Sequence, residues 1–139
     1  NPKQGDFLIR NLMGADRESG ALVIGTSLRN GQLVQFHLRD KQMSAEDLNV
    51  MLTRYLQQGN AENAKGALLF SCLGRGKYLY GKTNHDTDMF RSKLGEIPLG
   101  GFFCNGEIGP VGNTTFLHGY TSSFGIFRPL AGETDSKSP

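Results

Sequence analysis

Two glycine-rich turns carry the side chains best suited to binding chemistry. Each turn follows an apolar, strand-like run and sets one charged residue, Arg75 or Glu107, beside glycine. Glycine permits positive φ and lets another group approach the main chain closely. The turns therefore predict a cleft where the main chain meets a small molecule or another strand. The predicted ligand-binding residues of these turns are Gly74, Arg75, Gly76, Asn105, Gly106 and Glu107.

The two charged residues allow two interpretations. The planar guanidinium of Arg75, flanked by glycine amides, matches a carboxylate or phosphate ligand. Alternatively, Arg75 pairs with Glu107 and fixes the two turns to each other. Glu107 needs a partner in either case, because a desolvated carboxylate is costly unless it is paired. That partner is either Arg75 or the amine of a ligand, and the sequence leaves both open.

His118 is the histidine with the best functional setting, because a hydroxyl-rich stretch that includes Tyr120 follows it. We add His118 and Tyr120 to the predicted ligand site, with a hydrogen-bonded turn histidine as the alternative for His118. His37 is predicted to be solvated on a strand face. His85 precedes a predicted helix and is expected to assist its cap.

Cys72 and Cys104 each lie where an apolar run meets a glycine turn. Free cysteine is among the most buried residue types, so both are predicted to be reduced structural thiols. A reactive thiol and a disulfide are the alternatives. No CxxC or HxxxH spacing occurs, so neither a metal nor a cofactor is predicted. Nothing in the sequence places a base beside either thiol, and we expect no enzymatic activity.

Residues 71–76 and 101–112, with 115–124 behind them, resemble the FIST C-terminal domain. The resemblance extends to 6–11 and 34–40 and so covers about Asp6 to Pro129. The family resembled is a set of sensory, signal-transduction proteins with a eukaryotic branch fused to an F-box. The resemblance implies an amino-acid-like or other small anionic ligand. It also implies a partner, an N-terminal FIST domain that is missing from this chain.

Composition sets the broad class. The 139 residues carry 15 Lys and Arg against 13 Asp and Glu, well mixed, so nucleic acid is not an expected partner. The chain has no apolar stretch of the roughly 20 residues that span a bilayer, so no membrane partner and a cytoplasmic location are expected. We expect one domain over 1–130 and a disordered tail over 131–139. The start at Asn1 indicates a piece of a longer polypeptide.

Hydrophobic patterning predicts an α+β fold with a mostly antiparallel or mixed sheet, two flanking helices and the order βββαβαβββ. The central strand, at 66–72, is expected to be covered on both faces. Ser44, with Asp47, should cap the first helix, and Asn84 or Asp86 the second. Gly59 and Gly95 should end them. The predicted strands are 7–13, 21–24, 32–38, 66–72, a buried 99–104 and a closing hairpin of 114–117 and 120–127; the predicted helices are 44–58 and 87–94.

Two functions from different classes follow. The first is a ligand-sensing domain that passes its bound state to an attached domain. The second is a protein-interaction module using the surface around Arg75, Tyr78, Tyr80 and Phe103. A pocket of a few hundred Å³ lined by Arg75 and Glu107 would favour sensing, and a flat aromatic patch would favour interaction.

Overall fold

A computed structural model describes residues 6–59, 61 and 63–130 of the chain. The predicted tail at 131–139 lies outside the described residues. The predicted α+β class is confirmed, with two main helices and a short third one. The elements are β1 Leu12–Ala15, β2 Leu22–Ile24, α1 Lys41–Gln57, β3 Gly66–Cys72, α2 Lys77–Tyr80, α3 His85–Leu94, β4 Leu99–Cys104, β5 Glu107–Val111, β6 Thr114–His118 and β7 Ser122–Phe127.

A three-stranded sheet forms the centre of the fold, with β3 between β4 and β7. β4 runs parallel to β3, and the connection between them contains α2 and α3. β7 returns antiparallel on the other side of β3. The predicted central strand is therefore confirmed with its bounds.

The core lies between one face of this sheet and the helices α1 and α3. Its buried residues are Leu48, Leu52, Ala67 and Phe90. Phe90 is fully buried, and its ring stacks on Phe124 of β7 with 5.2 Å between centroids. Such a contact adds to the transfer free energy of two large apolar side chains. The apolar stripe of each helix is thus used in the core.

The opposite face of the sheet is open, which corrects two predictions. β3 is fully covered on one face, while its other face is exposed at Leu68 and half-buried at Phe70, and β4 is largely exposed rather than buried. Leu68 and Phe102 are 38% and 63% exposed. Both helices pack on the other face, so a run of consecutive apolar residues here does not indicate two covered faces.

The predicted strand at 32–38 does not form. Val34, Phe36 and Leu38 are all exposed, and no strand pairs with this segment among the described residues. Alternation shows which residues would share a face, but a strand also needs a neighbour to take its backbone hydrogen bonds. His37 contacts the ring of Phe7 instead. The first hairpin does form, although β1 begins at Leu12 rather than Phe7.

Helix α1 starts three residues earlier than predicted because Asp40 caps it. The Asp40 side chain accepts from the amides of Gln42 and Met43, each at 2.9 Å. Ser44 therefore lies inside the helix, and the predicted capping box with Asp47 is wrong. Gly59 follows the helix with a φ of +70°, as its role in ending the helix predicts.

Helix α3 begins at His85, after Asn84. Asn84 has a φ of +58° and makes no side-chain capping bond. Asn84 thus occupies the predicted cap position without a side-chain bond. Asp86 is not the cap, because it lies in the first turn of the helix and its carboxylate binds Arg75. Gly95 ends the helix as predicted, with a φ of +79°.

The last strands pair differently from the predicted closing hairpin. β6 pairs antiparallel with β5 around a turn at Gly112, whereas β7 joins β3. β5 was not predicted, since it contains Gly109 and Pro110 and has little strand propensity. A strand that starts at Glu107 nevertheless carries this carboxylate into the interior.

Gly101 provides a test of the β3–β4 pairing. Its φ is +151°, and an added Cβ would lie 2.0 Å from the Leu69 carbonyl oxygen. At Gly100 the nearest atom to such a Cβ is Leu68 Cδ2, at an ordinary 3.6 Å. Gly101→Ala should therefore lower the free energy of unfolding by roughly 2 kcal/mol or more, and Gly100→Ala by less than about 0.5 kcal/mol. Equal effects in urea denaturation would contradict this register.

Candidate polar site and adjoining cavity

A buried ion pair joins the turn after β3 to the first turn of α3. Arg75 and Asp86 are 5% and 6% exposed. Arg75 Nε lies 2.8 Å from Asp86 Oδ2, and Nη2 lies 3.1 Å from Oδ1. Two parallel bonds between a guanidinium and a carboxylate are stronger and more directional than one. The pair therefore holds Arg75 in one orientation.

The other donors of Arg75 are also used. Nη1 donates to Ser44 Oγ at 3.0 Å and to the carbonyl of Tyr120 at 3.3 Å. Nη2 also donates to the Tyr80 hydroxyl at 2.6 Å. These bonds engage all five N–H donors that an arginine has. Arg75 thus has no donor left for a ligand. Its ionic partner is Asp86, so neither the ligand interpretation nor the pair with Glu107 describes this side chain.

Asp86 is as fully engaged as Arg75. Besides the guanidinium, it accepts from Ser122 Oγ at 2.7 Å and Ser71 Oγ at 3.4 Å, and its Oδ1 lies 2.9 Å from His85 Nδ1. Burial alone would raise the pKa of Asp86, but the hydrogen bonds and positive charge of Arg75 lower it from 3.8 to about 2. The carboxylate is therefore held ionised inside the protein.

His85 and Tyr80 form an aromatic layer beside the ion pair. Their rings stack with 3.5 Å between centroids and an angle of 9°. Burial raises the pKa of the Tyr80 hydroxyl, which keeps it protonated next to Arg75. His85 is 8% exposed, and its Nδ1 is taken by Asp86. Its Nε2 makes no hydrogen bond to any residue that the structure describes, so this nitrogen remains available.

Glu107 is 1% exposed and lies in a separate network. Its Oε2 accepts from the Thr121 amide at 3.2 Å and the Thr121 hydroxyl at 2.8 Å. The thiol of Cys104 donates to Oε1 at 3.4 Å. Over the described ranges, no cation lies within ion-pair distance of this carboxylate. Glu107 thus secures the segment before β7 through neutral donors.

Arg75 and Glu107 meet indirectly, because both hold residues 120–121. Arg75 binds the Tyr120 carbonyl, and Glu107 binds Thr121. Tyr120 has a φ of +64°, and its ring lies under the Arg39 guanidinium at 3.8 Å. Arg39 also donates to the Gly74 carbonyl, and a Cβ at Gly74 would lie 2.9 Å from the Tyr120 ring. The close approach predicted for Gly74 is therefore to Tyr120 and Arg39.

The remaining predicted ligand residues lie around the β5–β6 hairpin. His118 Nε2 is 2.9 Å from the Gly109 carbonyl, which is the hydrogen-bonded alternative weighed from the sequence. Gly106 packs closely on the Leu117 side chain, and Asn105 is exposed in the turn. The structure does not bring these three residues to Arg75.

Both cysteines are free thiols. Cys72 and Cys104 are register partners at the ends of β3 and β4, and Cys72 is the more buried. Burial and the hydrogen bond to Glu107 both raise the pKa of the Cys104 thiol. The thiolate form is thereby disfavoured at Cys104.

A cavity of about 370 Å³ lies beside the ion pair, between β3, β4 and the start of α3. It is not lined by Arg75 or Glu107. Gly76 is the predicted ligand residue that lines it, and Phe103 packs against Gly76 from β4. The lining residues are Leu69, Ser71, Gly76, Lys77, Thr83, Asn84, His85, Asp86, Thr87, Leu99, Gly100, Gly101, Phe102 and Phe103.

Sequence reasoning missed the contribution of α3 to this site. Asp86 and His85 were considered only as cap residues. The available signal was the pair of acidic residues at the start of the helix, one of which pairs with a buried arginine. Because β3 and β4 are parallel, the start of α3 lies at the carboxyl ends of both strands, where ligands of such units commonly bind.

Residues 76–83 also match the phosphate-loop pattern GxxxxGK[ST], between a strand and a helix. In a phosphate loop the main-chain amides are free to surround the phosphate. Here the amides of Leu79 and Tyr80 donate to the Gly76 carbonyl, and that of Gly81 donates to Lys77. Lys82 does not line the cavity. The segment therefore forms the helical turn α2 and not a phosphate cradle.

Comparison with known proteins places the chain in a family. The profile of the family described as FIST C domain matches residues 1–110. The chain is a FIST C domain. This match confirms the predicted resemblance. The family is one of sensory and signal-transduction domains.

Relatives of this FIST C domain include bacterial and eukaryotic proteins. An uncharacterized protein of Mycobacterium tuberculosis is 45% identical over 126 residues, covering 91% of this chain and 33% of the relative. An F-box/LRR-repeat protein of Arabidopsis thaliana is 27% identical over 138 residues, covering 88% of this chain and 26% of that relative. F-box only protein 22 of Homo sapiens is 50% identical over 42 residues, covering 30% of this chain and 10% of that relative. The chain thus spans about a third of the first of these relatives and less of the others.

The described part of this FIST C domain contains no group of three or more His, Cys, Asp and Glu that could hold a metal ion. None of the helices within the same residues is both long and apolar enough to cross a bilayer.

The ion pair can be tested by a double-mutant cycle. Arg75→Ala leaves the Asp86 carboxylate buried and unpaired, so it should lower the free energy of unfolding by about 3–5 kcal/mol. The double variant Arg75→Ala/Asp86→Ala should lose much less free energy of unfolding than the two single variants lose together. Arg91→Ala is the matched control, because its pair with Glu96 is exposed and should contribute at most about 1 kcal/mol. Additive effects at positions 75 and 86 in urea titrations would exclude the coupling.

The lowered pKa of Asp86 predicts a pH dependence. With a folded pKa of about 2 against 3.8 for the free group, ionised Asp86 contributes about 2 kcal/mol above pH 5. That contribution falls as the pH drops, and about 1 kcal/mol of it should be lost by pH 3. Urea unfolding of the wild-type protein and of Asp86→Asn between pH 6 and pH 3 measures this loss of stability. The difference in stability between the two proteins should narrow over this range, and a constant difference would refute the assignment.

Proposed function

We propose that this FIST C domain is the small-ligand-sensing domain of a cytoplasmic signal-transduction protein, and that it binds an amino-acid-like or other small anionic metabolite. The observation that carries the proposal is the cavity beside the Arg75–Asp86 pair. Its volume of about 370 Å³ falls in the range of small-molecule sites. It combines an apolar wall from β3 and β4 with a polar end at α3.

The proposed ligand site differs from the one expected from sequence. The cavity replaces the cleft between Arg75 and Glu107. The donors of Arg75 are taken mainly by Asp86, and the carboxylate of Glu107 is held by Thr121 and Cys104. Their role in the proposal is to keep one side of the site rigid. A preorganised site loses less free energy to ordering when a ligand binds.

The ligand's bound state would be passed to an attached FIST N domain, which is the partner that the family implies. Binding rather than catalysis is proposed. The Cys104 thiol bonds to Glu107 and to the Ser71 carbonyl, and neither contact supplies a base of histidine type. A nucleophile activated by a histidine is therefore not part of the proposal.

The alternative, an interaction module built on Arg75, Tyr78, Tyr80 and Phe103, has weaker support. Tyr78 and Phe103 are exposed, but Arg75 and Tyr80 face each other inside the ion-pair network. The four residues do not form the flat patch that this function requires. The sensing function is therefore the better supported of the two.

A thermal-shift screen tests the proposal. Purified domain is heated with each of the common amino acids, their 2-oxo acids and small dicarboxylates. A ligand at 100 times its dissociation constant adds about 2.7 kcal/mol, which raises Tm on the order of 10 °C in a domain of this size. At least one anionic compound is expected to do so, with binding confirmed by calorimetry. A screen without any shift would count against ligand sensing.

A further inference from the structure

The central sheet has one apolar face without a covering layer, which we call the open face. The alternation and register of β3, β4 and β7 place four large apolar residues on this face, opposite to the core: Leu68, Phe70, Phe102 and Phe127. Leu68, Phe102 and Phe127 are 38%, 63% and 58% exposed. Phe70 contacts the Phe102 ring edge to face, with 5.2 Å between centroids. The four side chains therefore form one apolar patch across three strands.

Two glycines flank Leu68 on the open face and leave space beside it. Gly100 of β4 and Gly125 of β7 are its register partners. A Cβ added at Gly125 would meet no described atom within 4 Å, and one at Gly100 would meet only Leu68 Cδ2, at 3.6 Å. The open face therefore has a shallow depression on either side of Leu68, bordered by the exposed rings of Phe102 and Phe127.

The parallel pairing of β3 and β4 calls for a layer on the open face, since parallel strands are almost always covered on both sides. The helices α1 and α3 both pack on the opposite side, in the core. The β5–β6 hairpin reaches the open face at one end, where Ser123 Oγ donates to the Ile108 carbonyl at 2.9 Å. Leu68 and Phe127 stay exposed beyond it. The sheet therefore lacks one of its two layers within the described residues.

This chain does not supply the missing layer. Residues 1–5, 60, 62 and 131–139 lie outside the described ranges, and they contain no Val, Leu, Ile, Met or aromatic residue. They therefore cannot form an apolar cover. The chain spans 33% of the Mycobacterium tuberculosis relative and 26% of the Arabidopsis thaliana relative, so most of each polypeptide lies outside the match. The remaining length of these relatives is enough for at least one further domain.

We propose that the open face is the docking surface of the attached FIST N domain, which covers it with the apolar stripe of an amphipathic helix. Helices are the usual cover of parallel strands, and the space on both sides of Leu68 receives side chains of the helix. Phe102 also lines the cavity, so the docked helix lies next to the proposed ligand site. The inference takes the attached domain from the proposed function, and it does not depend on which ligand binds.

Hydroxyl-radical footprinting with mass spectrometry tests this docking, because side chains that are shielded from water are oxidised more slowly. The 139-residue chain is compared with the polypeptide that carries the FIST N domain and this chain together. Phe127 and Phe102 should be oxidised at least about 5-fold more slowly in the longer polypeptide, since the centre of an interface is desolvated. Tyr78 is 93% exposed on α2 and should keep its rate. Equal rates at Phe127 in the two proteins would overturn the proposal.

Substitutions on the open face separate docking from folding. Phe127→Asp adds a charge where the 139-residue chain is exposed, so the circular dichroism of that chain should not change. In the longer polypeptide the same charge would be buried without a partner, so the oxidation rate of Leu68 should rise to that of the shorter chain. Gly125→Gln, at a glycine outside the left-handed region, fills the space beside Leu68 and should act likewise. Tyr78→Asp is the matched control and should leave Leu68 protected. Protection of Leu68 in both open-face variants would reject this surface.

The other outcomes identify a different cover or a different function. If Phe127 becomes protected in the 139-residue chain as its concentration rises, and analytical ultracentrifugation shows a dimer, the cover is a second copy and the helix assignment is wrong. If the open face is protected in the longer polypeptide but the metabolite screen finds no ligand, the docking surface is supported and the sensing function is wrong. If a metabolite binds while the open face keeps its oxidation rate, the domain remains a sensor and the docking surface is wrong.

Discussion

The Arg75–Asp86 ion pair is the constraint on which the carboxyl end of the sheet depends. Two charges removed from water must satisfy nearly every donor and acceptor they carry, or the fold loses several kcal/mol. Meeting that demand draws Ser44 from α1, Tyr80 from α2 and the Tyr120 carbonyl to one guanidinium. The positions of three segments far apart in sequence are thus fixed by one side chain. Ser44 lies inside α1, where its hydroxyl accepts from Arg75, and is not the cap of the helix.

The same network connects the proposed cavity to α1 and to residues 120–121. His85 lines the cavity, and Asp86, one residue later, contacts Arg75 and through it α1 and residues 120–121. A ligand that displaced the first turn of α3 would disturb the ion pair directly. A ligand can shift the equilibrium between an intact and a disturbed ion pair only by the difference in its affinity for these two arrangements. A ligand in the proposed cavity that contacts His85 acts on the turn that carries Asp86.

Local sequence patterns predicted the elements whose stability is local. The stripe Met89, Phe90 and Leu94, with Gly95 after it, specified α3, and the apolar run at 66–72 specified β3. The failures involve long-range pairing. The alternation at 32–38 could not reveal that no neighbour would accept its hydrogen bonds. The likeness of the two glycine turns suggested that Arg75 meets Glu107, whereas the partner of Arg75 is Asp86 in the first turn of α3.

The match of 76–83 to a phosphate-loop pattern shows that a motif depends on the conformation of its backbone as well as on its residue types. Phosphate binding needs amides with no internal acceptor, and α2 uses these amides for its own hydrogen bonds. The uncapped amides of α3 lie one element later and do not have this restriction. With Arg75 bound to Asp86, the lysine that lines the cavity is the exposed Lys77. Recognition by partial charges and one solvated cation gives modest affinity, so occupancy of the proposed site would vary with metabolite concentration, as a sensor requires.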